Sequence, residues 1–144
     1  MQFKNHAVSG SRISKPAEKS DVVDVAKYFC DKVDVISADL TQADYITMCF
    51  GLNEGSDAAL SGLSTDTTVS TLFGAWNTVL TKIFNWNPYV KIGIIIADAW
   101  TPLWQANLLK TIGLTWGIPV LDMKYNPNVP VMMGSGRPNV SNTI

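Results

Sequence analysis

A chain of 144 residues with 47% hydrophobic and 16% charged side chains is one domain in size and apolar enough to build a core, which excludes wholesale disorder. Eleven basic against twelve acidic side chains leave a formal charge of −1. With no basic stripe, the chain is not expected to track nucleic-acid phosphates. The longest apolar stretch, residues 92–97, is far too short to span a membrane, and the start MQFKNHAVSG lacks the apolar core of a signal peptide, so the compartment stays open.

In chain order, residues 2–5 are expected as a strand running into the loop His6-Ala7-Val8-Ser9-Gly10-Ser11. Lys15-Pro16 breaks the chain. Ser20 then suits a helix N-cap, with Asp21 and Asp24 in the positive first turn. Val22, Val25, Ala26, Phe29, Cys30 and Val33 follow at helical spacing. Residues 45–50 carry little charge and predict a strand buried on both faces. A long polar loop follows Gly51-Leu52-Asn53-Glu54-Gly55.

Over residues 69–86, Leu72, Phe73, Trp76, Val79, Leu80, Ile83 and Phe84 form a helical stripe. Residues 91–97, rich in isoleucine, predict a central parallel strand. Thr101-Pro102 opens the next helix, in which Trp104, Leu108, Ile112 and Thr115 share a face, and Gly117 ends it. Residues 118–123 predict the last strand. The expected division is a single domain over 1–144, with a βαβαβαβ core over 1–123 and an irregular tail over 124–144 rich in Pro, Asn and Gly. Strands alternating with helices run parallel, and ligands then bind beyond the carboxyl ends of the strands.

Two loops lie at that end, one at Gly10 and one at Asn53. A glycine N–H can approach a ligand closely, and an asparagine amide can donate a second bond. Two fixed donors aimed at one point stabilise a developing oxyanion. The same residue types also suit plainer roles, Gly10 in a turn and Asn53 capping a loop, and residue type alone leaves both open. The two cysteines, Cys30 and Cys49, make no disulfide framework, and no Cys/His cluster offers a metal site, so neither metal nor other cofactor is expected. His6 is the single histidine, so any histidine base in this chain would have to be that residue.

The string NHAVSGS at residues 5–11 resembles the second conserved block of the SGNH (GDSL-type) hydrolases, and ADYITMCFGLNE at 43–54 resembles their third, a strand ending in Gly-x-Asn-Asp. Residues 71–96 resemble the following helix, Asn-Pro turn and strand, and GIPVLD at 117–122 resembles the late strand. The resemblance implies a flavodoxin-like three-layer α/β/α fold with parallel strand order 2-1-3-4-5. It also implies hydrolysis or transfer of acyl esters, on a lipid, another small acyl ester or an acetylated carbohydrate. Gly10 and Asn53 match the oxyanion-hole positions. Glu54 stands where the family has Asp.

The family's Gly-Asp-Ser nucleophile block and its Asp-x-x-His block do not occur in the chain. The domain is therefore expected to be incomplete, lacking its first strand and C-terminal helix, and to be inactive alone. The missing strand would leave a slot between residues 2–5 and 45–50, filled by sliding, by oligomerisation or by strand exchange. His6 is expected to pack or lie at the surface. Ser9, Ser11 and Ser14 lack the nucleophile's context, and Asp122 is expected to be structural. A second reading is a non-enzymatic carbohydrate-binding or structural module, as in a viral or cell-surface appendage, using Trp86, Trp100 or Trp116. A nucleotide binder fares worst, because no Gly-rich phosphate loop opens a helix.

Overall fold

A computed structural model describes residues 2–51, 53–54, 58–97 and 101–124; the expected tail therefore lies almost wholly outside the described residues, as does Trp100. The helices are α1 (Phe29–Val35), α2 (Ser37–Thr41), α3 (Leu72–Trp86) and α4 (Leu103–Trp116), and the strands are β1 (Tyr45–Met48), β2 (Lys91–Ile96) and β3 (Val120–Asp122). The strands form a parallel sheet in the order β1-β2-β3, with Ile46 beside Ile92 and Ile94 beside both Met48 and Val120. This is a flavodoxin-like α/β arrangement.

The apolar stripe of α3 lands where its period puts it. Leu72, Trp76, Val79, Leu80 and Ile83 are buried, and they share the core with Ile92, Ile94 and Ile96 of β2 and Leu108, Leu109 and Ile112 of α4. Thr71 caps α3 by accepting the Gly74 N–H at 3.1 Å, so the helix starts three residues later than its pattern suggests. Gly117 ends α4 in the left-handed region at φ 66°, which a glycine adopts without strain. Thr101 is buried just before Pro102, which is the N-cap of α4; the expected order of cap and first helical residue is thus shifted by one. Asn87, in the turn before β2, donates to the carbonyls of Leu40, Thr41 and Ala43 at 2.9–3.2 Å and fastens the end of α3 to the end of α2.

Three expectations are corrected. Residues 2–5 form no strand: Lys4 and His6 instead reach Asp39 on α2, and the Lys32 ammonium donates to the His6 carbonyl at 2.6 Å. There is thus no slot between two strands; β1 is simply an edge of the described sheet. The helix expected from Ser20 begins only at Phe29. Val22, Val23 and Val25 are poor helix formers, and the Asp24 carboxylate captures the backbone N–H groups of Ala26 (3.1 Å) and Lys27 (3.0 Å) in a turn that competes with the helix.

The third correction concerns β1, which is buried on one face only. Met48 is 2% exposed, whereas Tyr45 is 62% exposed and Thr47 and Cys49 are exposed too. Helices flank this three-stranded parallel sheet, with α4 packed against β2 and β3 and α3 against α1 and α2.

Candidate functional site

Residues 12–15 pass through the interior between the two loops. Ile13, Ser14 and Lys15 are buried, and backbone bonds tie Arg12 to Lys27 and Phe29 and tie Ile13 to Cys30. Lys15 reaches Asp31 at 2.9 Å, a largely buried ion pair. The centre of this region is Glu54, 2% exposed. Its carboxylate accepts the Ile13 N–H at 2.5 Å, the Ser14 N–H at 3.3 Å and the Ser14 hydroxyl, and lies 3.5 Å from Arg12 Nε. Arg12 Nη2 donates in turn to Ser14 Oγ at 3.0 Å and to the Glu54 carbonyl at 3.4 Å. A buried carboxylate needs this full set of donors.

Gly10 stands at the third position of a turn closed by Ser11 N–H to Val8 C=O at 3.2 Å, with φ +77°. That φ favours glycine, and a Cβ built there would meet nothing within 4 Å, so the space before it is open. Asn53 is exposed, and its Nδ2 donates to the Ser11 carbonyl at 3.1 Å. The amide nitrogen carries two hydrogens, so this bond orients Asn53 while using one of them. The loop of Gly10 and the loop of Asn53 are thereby side by side at the carboxyl end of β1. Gly51, two residues before Asn53 and at φ +125°, lets the chain turn against α4: a Cβ there would lie 3.3 Å from Gln105 Oε1 and 3.6 Å from Leu109 Cδ1.

The other candidate side chains sit elsewhere or are already engaged. His6 Nε2 lies 2.9 Å from Asp39 Oδ2, at a half-buried surface position. The Lys4 ammonium, and to a smaller degree His6, hold the Asp39 carboxyl below its usual range. Ser14 is buried against Glu54, whereas Ser9 is exposed and Ser11 half-buried. Asp122, buried at the end of β3, pairs with Lys110 at 2.6 Å and accepts the Lys124 N–H at 3.0 Å, as suits a strand-end structural residue.

Among the tryptophans, Trp76 is fully buried, and Trp86 and Trp104 pack partly against the core. Trp116 stacks on Phe84 with ring centres 5.8 Å apart and donates its indole N–H to Asn77 at 2.9 Å. Sequence reasoning missed the buried roles of Glu54, Lys15 and Arg12. Nothing in a run of polar residues marks which carboxylate will be enclosed.

No protein-family model and no curated protein matches the chain. Solved structures do. A protein from Lactobacillus plantarum shares 17% identity at a TM-score of 0.62, over 87% of this chain and 62% of its own. Another crystal structure shares 19% identity at a TM-score of 0.61, over 78% of this chain and 56% of its own. A third, described as a possible lipase from Chitinophaga pinensis, shares 24% identity at a TM-score of 0.51, over 68% of this chain and 51% of its own. These likenesses establish the fold, and this chain spans between about half and three-fifths of each neighbour's length.

Proposed function

We propose that this chain is a segment of an SGNH (GDSL-type) hydrolase acting on acyl esters, of the esterase, lipase or carbohydrate O-deacetylase class, and that it carries part of the oxyanion hole in Gly10 and Asn53. The observation that carries the reading is the bond from Asn53 Nδ2 to the Ser11 carbonyl, which joins the two donor-bearing loops at the carboxyl end of a parallel strand. The open space before Gly10 and the Glu54 anchor behind the loops favour it further. A fold neighbour described as a possible lipase is in keeping with it.

The reading assigns no nucleophile or base to this chain. Ser14 is enclosed against Glu54, and among the described residues His6 hydrogen-bonds Asp39 and no serine. A serine without a base is a poor nucleophile at neutral pH. The chain alone is therefore inactive, and a serine-directed fluorophosphonate should leave it unlabelled while labelling a version extended upstream by a Gly-Asp-Ser strand and downstream by an Asp-x-x-His segment. Labelling of the present chain at Ser9 or Ser11 would overturn the assignment. The carbohydrate-binding alternative is less favoured at Trp116, where one ring face stacks on Phe84 and the indole N–H is held by Asn77.

A further inference from the structure

We propose that Arg12 is a positioning residue for Asn53, gripping it through both backbone and guanidinium so that its second amide hydrogen is held in a fixed place. The catalytic consequence rests on the hydrolase reading; the grip itself does not. Asn53 Nδ2 donates to the Ser11 carbonyl at 3.1 Å. The same peptide unit carries the Arg12 N–H, which donates to the Lys27 carbonyl at 2.9 Å, and the Arg12 carbonyl accepts the Phe29 N–H at 2.8 Å. The acceptor that orients Asn53 therefore sits on a pinned stretch of backbone. A peptide whose N–H already donates is polarised, which makes its carbonyl a better acceptor.

The guanidinium supplies the second grip. Its Nη2 donates to the Glu54 carbonyl at 3.4 Å and to Ser14 Oγ at 3.0 Å, and its Nε lies 3.5 Å from the Glu54 carboxylate. Two hydrogen bonds thus close residues 11–12 and 53–54 into a ring, the Asn53 side chain reaching one way and the Arg12 side chain the other. The Arg12 side chain is 18% exposed and that of Glu54 2%, so water competes little for the Arg12 bond. Asn53 is exposed, and an exposed amide with a single bond is easily turned. The ring removes that freedom before a ligand arrives, which is what a preorganised oxyanion donor requires.

Charge balance alone explains a cation beside Glu54, but not an arginine. A lysine ammonium is a compact point charge on a flexible stem. The planar guanidinium sets Nε beside the carboxylate and Nη2 against the Glu54 carbonyl at once. Arg12→Lys separates the two roles, because it keeps the charge and loses the fixed second grip.

NMR relaxation of the side-chain amides of this chain tests the grip. In the unmodified chain the Asn53 amide should be nearly as ordered as rigid backbone, with an order parameter of about 0.85, and in Arg12→Lys it should fall below about 0.6. The Asn77 amide, held by the Ser64 and Asp66 carbonyls at 2.9 Å each, should stay ordered in both. Arg12→Met combined with Glu54→Gln removes the guanidinium without stranding a buried charge and should show the same contrast. In a form extended by a Gly-Asp-Ser strand and an Asp-x-x-His segment, Arg12→Lys should lower kcat by about 10–100-fold at unchanged KM. It should have almost no effect once Asn53 is replaced by alanine. An Asn53 amide as ordered in Arg12→Lys as in the unmodified chain, or an Asn77 amide that loosens alongside it, would overturn the grip. An equal loss of kcat in the Asn53→Ala background would overturn its catalytic consequence. An extended form that turns over no ester would remove the hydrolase reading and leave the order parameters to decide the grip.

Discussion

Glu54 accepts the backbone N–H of Ile13 at 2.5 Å, across 41 positions of sequence, in a site closed to solvent. This contact fixes the Asn53 loop to the segment that follows Gly10. Glu54→Ala strands the Ile13 and Ser14 donors and leaves Arg12 without its carboxylate. Breaking such a buried pair costs about 3–5 kcal/mol, a large share of the stability of about 5–15 kcal/mol typical of a domain. Glu54→Gln keeps the shape and one acceptor and should lose less, about 1–3 kcal/mol. Urea denaturation of the three proteins checks the order. Equal midpoints would show that the carboxylate is not the anchor.

Three glycines separate space from conformation. A Cβ on Gly74 would fall 2.0 Å from the Thr68 carbonyl, and one on Gly113 would fall 2.3 Å from Val120 Cγ2 and 2.8 Å from the Ile118 carbonyl, while one on Gly93 would touch nothing within 4 Å. Gly→Ala in a helix normally gains up to about 1 kcal/mol. At Gly74 and Gly113 the overlap with backbone reverses that gain, for a net loss of about 1–3 kcal/mol. Gly93→Ala, on the uncovered face of β2, should be neutral or stabilise by about 0.5 kcal/mol. Thermal melts of the three variants distinguish the sites.

Burial, helped by the neighbouring Asp31 carboxylate, pushes the Cys30 thiol from 9.0 up to about 11. The folded state thus holds this proton more tightly than the unfolded chain. Its contribution to stability is intact below pH 9 and is lost as pH rises towards 11. Stability measured from pH 8 to pH 11 should fall more steeply for the natural sequence than for Cys30→Val, whatever the two absolute values. Parallel profiles would remove Cys30 from the account.

Much of the fold was legible because it follows from periodicity. The stripe from Leu72 to Ile83, the isoleucines of β2 and the stop at Gly117 are each set by local pattern, and each is found where the pattern puts it. The failures lie where side chains compete with the backbone or where a partner is needed. Asp24 diverts the chain from a helix that its valines only weakly support. Lys4 and His6 find Asp39 and no strand forms around them. The two-sided burial expected of residues 45–50 required a layer that does not cover them among the described residues. At the candidate site, Gly10 and Asn53 stood out by residue type, but the Glu54 anchor did not. Its burial is a property of the packed loops, and no local pattern encodes it.

The pair of donors is tested most directly by the turnover of an acyl ester in a form of this domain extended to include a Gly-Asp-Ser strand and an Asp-x-x-His segment. If Asn53 serves the transient negative charge, Asn53→Ala in that form should lower kcat by about 10²–10³-fold and leave KM nearly unchanged. An Asn53→Ala enzyme with undiminished kcat would contradict the account.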